Sequence, residues 1–160
     1  MAELHDLPIY VRLFLQAYPW RRIDPVPWTP LRKPLSKCRV ALVTSAGFAL
    51  PGQPPFDPSI RGGDPSFREI PHDADVALLI ESHRSKSFDH TGLYRDANVA
   101  FPLDRMRELA DQGRIGSVNR RHLSFMGSIT APGRFISRTA PEAARRLVED
   151  GVDAALLVPV

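Results

Sequence analysis

The sequence predicts an α/β protein with a mainly parallel sheet flanked by helices, preceded by a proline-rich N-terminal arm. Aliphatic and β-branched runs at residues 38–47 and 74–82 predict two central strands. Two amphipathic segments nearer the C-terminal end predict helices. The second is followed by a short connection and another apolar run, and this strand–helix–strand order favours right-handed crossovers between parallel strands.

Length and composition are those of one domain outside the membrane. The chain has 160 residues and lacks an apolar stretch long enough to cross a bilayer. Its first residues carry acidic groups and no small-residue cleavage site, so we expect no secretory signal and a cytoplasmic location. The single cysteine, Cys38, excludes an internal disulfide and a CxxC pair.

The N-terminal part is predicted to be a helix followed by an extended arm. Apolar residues recur at near-helical spacing over residues 7–18, and Pro19 ends the pattern. Four further prolines follow up to Pro34, which prevents regular hydrogen bonding. We therefore expect an arm over residues 1–37 and an α/β domain over residues 38–160, the latter incomplete at its C-terminus.

Four strands and two helices are predicted within the α/β domain. A third, shorter strand is expected at residues 97–101, and the run VDAALLVPV at 152–160 has no polar face, which is typical of a fully buried parallel strand. A helix is expected from residue 102 to Gly113. In the second helix Thr139 and Glu142 match a capping box, and Gly151 ends the pattern.

The charge pattern does not predict nucleic-acid binding. The net charge is +3 and the isoelectric point about 9.4, but the basic pairs are scattered and no recognised nucleic-acid motif accompanies them. We expect most of these side chains to be solvated or to contact a small anionic substrate.

Two long loops carry the polar residues that favour a small-molecule site. The first follows a strand end at Thr44 and Ser45 and contains Gln53 and Arg68, all candidates for substrate binding. Its glycines lack the GxGxxG spacing of a dinucleotide site. Surface pairing and turn formation are the alternative roles for these residues.

The second loop supplies the candidate catalytic residues His83, Asp89, His90 and Asp96. Histidine beside carboxylate can perform acid–base chemistry near neutral pH. The same residue types also bind divalent metals, but the spacing matches no fixed ligand pattern, so no metal site is predicted. His83 is equally compatible with a core histidine bonded to the backbone.

A third candidate segment contains Arg121 and His122, followed by Gly127 and Gly133. These residues favour a wall that binds a substrate anion, although the neighbouring Phe125 is typical of a core. Cys38 lies at the opposite end of its strand from the predicted site and is expected to be structural.

Five ordered blocks resemble the selenoprotein B family of glycine, sarcosine, betaine and D-proline reductases. They are VTSAGFALPGQPPFD, GGDPSFREIP, DHTGLYRDANVAFPLDRMRELADQGRIGS, RHLSFMGSI and TAPEAARRLVEDGVDAALLVPV. The similarity runs from about Cys38 to Val160. The resemblance implies reductive cleavage of a carbon–nitrogen bond in a small amino acid or amine. It further implies a selenocysteine or cysteine nucleophile directly after Val160, so the chain is expected to be the N-terminal part of a longer selenoprotein.

The same resemblance implies roles for the loop residues. Arg68 or Arg121 would hold a substrate carboxylate, and His83 or His90 would protonate the departing nitrogen. Asp89 or Asp96 would orient the histidine or hold a substrate ammonium. No cofactor is expected within this chain.

The resemblance also implies partners. A thiol reductant and a pyruvoyl-bearing partner subunit are implied, whereas the sequence leaves the oligomeric state open. The alternatives are a non-catalytic binding subunit with the same pocket and a small α/β protein that binds a phosphate or other anion through its arginines.

Overall fold

The computed structural model describes residues 4–19, 22–83, 85 and 90–160, and it divides the chain into two compact units, Met1–Pro30 and Leu31–Val160. The first unit contains a 3-10 turn at Leu4–Asp6 and helix α1 at Ile9–Ala17. Pro8 precedes α1, and Tyr18, the residue before Pro19, has extended backbone angles. A helix within residues 7–18 is thereby confirmed.

The second unit contains seven strands and three α-helices among the described residues. The strands are β1 Arg39–Thr44, β2 Phe48–Ala49, β3 Phe67–Pro71, β4 Ile80–Glu81, β5 Ser117–Val118, β6 Arg121–Phe125 and β7 Ala154–Val158. The helices are α2 Thr91–Arg95, α3 Leu103–Asp111 and α4 Ala140–Glu149, the last continuous with a π-helical turn at Phe135–Thr139. Short 3-10 helices lie at Leu35–Lys37, Val76–Leu78 and Ala97–Val99.

Strand β1 is the centre of the main sheet. β7 pairs with it in parallel over residues 40–44, while β5 and β6 pair in parallel with its first and last residues. Val40 and Val43 each have partners on both sides, so β5 and β6 share the edge of β1 opposite β7. β3 adds to β6 in antiparallel orientation. The mainly parallel α/β sheet predicted from the sequence is confirmed.

Helices α3 and α4 cover opposite faces of this sheet. Leu42 packs with Leu103 and Met106 of α3, whereas Val43 packs in the cluster that contains Ala143 and Leu147 of α4. Successive strand residues point to opposite faces, so this alternation is what a sheet between two helical layers requires.

A gap in the hydrogen-bond ladder of β1 is filled by a histidine. Between the β5 and β6 pairings, the Leu42 N–H donates to Nδ1 of His122 at 2.9 Å. The His122 ring is fully buried and meets Phe101 edge to face. Only a neutral ring can accept this N–H, and burial lowers the pKa of His122 to about 4.

Two predicted strands are wrong. Residues 74–82 form a 3-10 turn and only the two-residue strand β4, which pairs antiparallel with β2, and residues 97–101 form a second 3-10 turn. An aspartate starts each turn: Asp75 accepts the N–H of Ala77, and Asp96 accepts that of Asn98, both at 2.9 Å. These side-chain contacts favour a turn over an extended chain.

The two predicted helices are confirmed as α3 and α4, but the capping box is wrong. Thr139 has helical backbone angles at the end of the π-helical turn and makes no capping hydrogen bond. Glu142 instead accepts hydrogen bonds from Arg145 and Arg146 one turn later. The Glu142 carboxylate, which a capping box would require, is therefore used in ion pairs along α4.

The predicted last strand is present as β7, but its predicted full burial is wrong. The side chains of Leu156 and Leu157 are 45% and 67% exposed. Among the described strands β7 pairs only with β1, which leaves its other edge without a described partner. In the described part of the chain no helix is both long and apolar enough to traverse a bilayer.

We predict that the buried His122 makes the folded protein less stable in acid. In the unfolded chain a histidine binds its proton below about pH 6.5, whereas folded His122 does so only near pH 4. The unfolded state thus holds more protons in this window, and the free energy of unfolding should fall by up to about 3 kcal/mol as the pH drops through it.

Denaturant melts between pH 7 and pH 4 measure this slope. His122→Asn, which keeps an acceptor but cannot titrate, should flatten it, whereas His5→Asn, at a side chain that is 69% exposed, should not. An unchanged slope in His122→Asn would contradict the assignment.

Candidate functional site

Three strands end together at one edge of the sheet. The N–H of Ser45 donates to the Val158 carbonyl at 3.2 Å, and that of Gly47 donates to the Phe125 carbonyl at 2.8 Å. The hydroxyl of Ser45 accepts the N–H of Val160 at 2.9 Å. The carboxyl ends of β1, β6 and β7 are therefore joined by the segment after β1, the position where α/β proteins bind their ligands.

Gly47 brings His83 to this edge. The carbonyl of Gly47 accepts the N–H of Ser82 at 2.9 Å, so the chain leaving β4 runs beside the end of β1. Gly47 has φ +71°, and a Cβ there would lie 2.8 Å from the backbone nitrogen of His83. Only glycine satisfies both the left-handed backbone and this close approach.

The absence of a side chain at Gly127 leaves room for the His83 ring. Gly127 follows β6 closely, has φ +66°, and its Cβ would lie 2.4 Å from Nε2 of His83 and 2.4 Å from the Ser45 carbonyl oxygen. No side chain fits between these two atoms. The imidazole and the end of β1 consequently meet across Gly127.

The hydrogen bonds of His83 define its protonation. Nδ1 accepts the N–H of Ser85 at 3.0 Å, so the ring proton of the neutral form is on Nε2, facing Gly127. Burial, assisted by the nearby His90, lowers the pKa of His83 and outweighs the opposite effect of Glu81. His83 is thus neutral at physiological pH.

Glu81, His90 and Tyr94 complete a polar cluster with His83. Nδ1 of His90 lies 3.1 Å from Oε2 of Glu81, and the Tyr94 hydroxyl donates to the same oxygen at 3.3 Å. The two histidine rings are 6.3 Å apart between centroids. The carboxylate of Glu81 raises the pKa of Tyr94. Sequence reasoning missed Glu81; the available signal was its position two residues before His83, on the same face of an extended chain.

Of the two candidate catalytic carboxylates, the structure describes only one, Asp96. Asp89 lies outside the described residues. Asp96 accepts hydrogen bonds from the backbone and side-chain nitrogens of Asn98, as the cap of a 3-10 turn, and lines a neighbouring cavity.

Among the candidates on the first strand and loop, the half-buried Ser45 lines a cleft and has its hydroxyl at the strand ends. Thr44 is buried, and its hydroxyl donates to the Val158 carbonyl. Gln53 bonds to Leu50 and to the Glu69 carbonyl, which ties the loop to β3. Arg68 donates to the carbonyls of Pro54 and Pro55 and covers the Phe56 ring.

Arg121 and His122 lie away from the carboxyl edge. Arg121 begins β6, roughly 13 Å from the end of that strand at about 3.3 Å per residue. It donates to both oxygens of the buried Asp150 and to Glu69, and these hydrogen bonds lower the pKa of Asp150 and raise that of Arg121. His122 is in the core. The structure therefore separates both from His83.

Two cavities flank the histidine cluster. An apolar cleft of about 510 Å³ is lined by Ser45, Phe125, Gly127, Phe135 and Leu157, among others. A polar cavity of about 310 Å³ is lined by Glu81, Tyr94 and the carboxylates Asp75, Asp96 and Asp104. The described residues contain no cluster of three metal-binding side chains. His83 contacts the wall of the first cavity, and Glu81 lines the second.

This α/β fold, with a histidine cluster at the strand ends, belongs to a known family. Residues 9–160 match the glycine/sarcosine/betaine reductase selenoprotein B family, so the chain is a member of it. The resemblance inferred from the sequence is confirmed. No solved structure matches the chain.

Curated relatives are named as subunits of amino-acid and amine reductases. The chain is 41% identical over 144 residues to D-proline reductase subunit gamma of Acetoanaerobium sticklandii, which covers 89% of this chain and 57% of that protein. It is 33% identical over 143 residues to glycine reductase complex component B subunit gamma of Symbiobacterium thermophilum, covering 88% and 32%. It is 29% identical over 144 residues to sarcosine reductase complex component B subunit beta of Peptoclostridium acidaminophilum, covering 90% and 33%. The chain thus spans between about one third and somewhat over half of the length of these relatives.

A side chain at Gly127 should displace His83. Gly127→Ala combines a left-handed backbone with an overlap against Nε2, so we expect a loss of about 1–3 kcal/mol in the free energy of unfolding and a changed titration of His83 by NMR. Gly113→Ala is the matched control, since Gly113 has the same left-handed φ of +66° and nothing lies within 4 Å of its Cβ position. Equal effects of the two variants would show that Gly127 does not hold the ring in place.

Proposed function

We propose that the chain is the N-terminal part of a reductase that cleaves a carbon–nitrogen bond of a small amino acid or amine of the glycine, sarcosine, betaine or D-proline class. Family membership supports the reaction type. The observation that carries the proposal is the placement of His83 by Gly47 and Gly127 where three strands end. D-Proline is the first substrate to test, because the 41% identity is to a D-proline reductase subunit.

His83 and Ser45 are the groups proposed to act at the strand ends. Neutral His83 presents an Nε2–H towards Gly127, and an N–H donor in a water-poor position stabilises negative charge that develops beside it. The Ser45 hydroxyl can reorient to donate or accept, and it lies on the adjoining cleft. The apolar remainder of that cleft would exclude water from the reacting groups.

The nucleophile is proposed to be a selenocysteine or cysteine encoded directly after Val160. A selenol supplies a nucleophile that is anionic at neutral pH, whereas a free thiol, with a pKa of about 8.5, is mostly protonated. The fit is supported by β7, which runs to the same edge as β1 and brings the Val160 N–H to the Ser45 hydroxyl. A chain continuing from there would start beside Ser45 and the cleft.

A partner subunit and a thiol reductant are proposed to complete the reaction. The relatives are named as subunits or components of reductase complexes. Leu157, which is 67% exposed, and the adjoining apolar cleft are chemically suited to be covered by further protein. Net reductive cleavage consumes two electrons, which a dithiol supplies when it is oxidised to a disulfide.

The anion-binding alternative has less support in the structure. The arginines that it requires are already bound: Arg121 to Asp150 and Glu69, and Arg68 to two carbonyls and its neighbouring Ser66. An incoming anion would compete with a buried carboxylate for Arg121.

The decisive test starts with the gene. The codon after Val160 should be an in-frame UGA or a cysteine codon that opens a longer reading frame. The extended protein, purified with its partner subunits, should oxidise dithiothreitol in a manner that depends on D-proline or another substrate of the class. Replacement of the encoded selenocysteine or cysteine by serine is the control and should abolish turnover. A UAA or UAG codon, or an extended complex inactive on all four substrates, would contradict the proposal.

A further inference from the structure

The Glu81 carboxylate lies within hydrogen-bond distance of three donor groups of the histidine cluster. Its Oε1 accepts the backbone N–H of His83 at 2.5 Å. Its Oε2 lies 3.1 Å from Nδ1 of His90 and accepts the Tyr94 hydroxyl at 3.3 Å. The carboxyl group is 7% exposed. A nearly buried carboxylate with three donors is the kind of group that fixes the geometry around it.

The contacts of His90 specify where its protons are. Nε2 lies 2.9 Å from the carbonyl oxygen of Ser85, which can only accept, so Nε2 carries a proton. Nδ1 faces Oε2 of Glu81, and this contact needs a proton as well. Both oxygens of Glu81 already act as acceptors, Oε1 from the His83 N–H and Oε2 from the Tyr94 hydroxyl, so the contact geometry assigns the second proton to Nδ1 of His90.

His83 has the opposite pattern. Its Nδ1 accepts the Ser85 N–H and therefore carries no proton, so the ring has one proton, on Nε2. Ser85 thus distinguishes the two rings, since its N–H meets one and its carbonyl meets the other. The ring centroids are 6.3 Å apart, close enough for a charge on one ring to oppose a charge on the other.

We propose that Glu81 is a positioning residue that holds His90 as an imidazolium and thereby keeps His83 neutral with its proton on Nε2. The charged or titratable groups with described contacts to the two rings include Glu81 and Tyr94, and each histidine faces the other. The role in catalysis rests on the proposed function, because it requires His83 to act at the strand ends. The protonation pattern itself does not depend on the reaction.

The protonation pattern predicts different roles for the two histidines. A neutral imidazole with Nε2–H donates a hydrogen bond without releasing its proton, which suits stabilisation of an anion. An imidazolium that is 21% exposed can release a proton and recover it from water. If a proton is delivered to the departing nitrogen, His90 is the source: its Nε2–H leaves the Ser85 carbonyl, that N–H bond breaks, and the new N–H bond forms on the amine. Neutral His90 then keeps the Nδ1–H that faces Glu81.

Long-range ¹H–¹⁵N NMR of the 160-residue chain reads these states directly, with His83→Gln and His90→Gln used to assign the signals. At pH 7 we expect two ring protons on His90 and one, on Nε2, on His83. In Glu81→Gln, His90 should lose its second proton at that pH. Tyr94→Phe is the matched control, because it removes one donor to Glu81 and keeps the carboxylate, and both patterns should stay unchanged.

His90→Gln gives a second, independent readout. Because this variant removes the positive charge of His90, His83 should titrate at higher pH than in the parent chain. This shift can be measured even if Glu81→Gln fails to fold. A single ring proton on His90 of the parent chain at pH 7, or a His83 titration unmoved in His90→Gln, would overturn the proposal. Inactivity of the extended reductase, with these NMR patterns intact, would instead count against the proposed function alone.

Discussion

The arrangement of the site depends on the close approach between the ring of His83 and the backbone at the end of β1. Nε2 of His83 and the Ser45 carbonyl both lie 2.4 Å from the position that a Gly127 Cβ would take. Any other residue at 127 would separate them and would also strain a left-handed backbone. Gly47 imposes the same restriction from the other side, through the backbone of His83. Because Gly47 and Gly127 have no side chains, the His83 imidazole can lie where three strands end.

The sheet has a different electrostatic character at each end. At the amino end, Asp150 is buried and bonded by Arg120, Arg121 and Asn119, a closed network that joins α4 to β6. At the carboxyl end, neutral His83 and the Ser45 hydroxyl adjoin an apolar cleft. Ion pairs that satisfy each other stabilise a structure but leave little capacity to bind a ligand. This contrast is why the carboxyl end, and not the more highly charged end, is the better candidate for chemistry.

Sequence patterns predicted the elements whose apolar spacing is simple. The strand at β1, the helices α3 and α4 and the position of β7 follow from such patterns, and His83, His90 and Ser45 were nominated because they follow predicted strand ends. Strand β6 was not predicted, because it buries His122 and Ser124, and its pattern RHLSF lacks an apolar run. The His122 side chain is buried there because it satisfies the Leu42 N–H in a gap of the ladder, a long-range contact that local patterns do not contain.

Other differences also have specific structural causes. The run at 74–82 is as apolar as a central strand, yet the side chain of Asp75 caps a turn within it. The role of Glu81 depends on His90 and Tyr94, which lie 9 and 13 residues later in the sequence, beyond the range of a local pattern. Gly127 carries no chemistry of its own, so only the position of its neighbours shows why glycine is required.

The proposed function assigns His83 as the group that acts at the strand ends. The most direct test of that role is the turnover of the extended reductase with His83→Ala, measured beside its thermal unfolding midpoint. We expect a loss of about a hundredfold or more in kcat with a nearly unchanged midpoint, since the substitution removes the proposed N–H donor and not a core side chain. Turnover within about twofold of the parent enzyme, in a protein that melts at the same temperature, would contradict the placement of the site at this edge of the sheet.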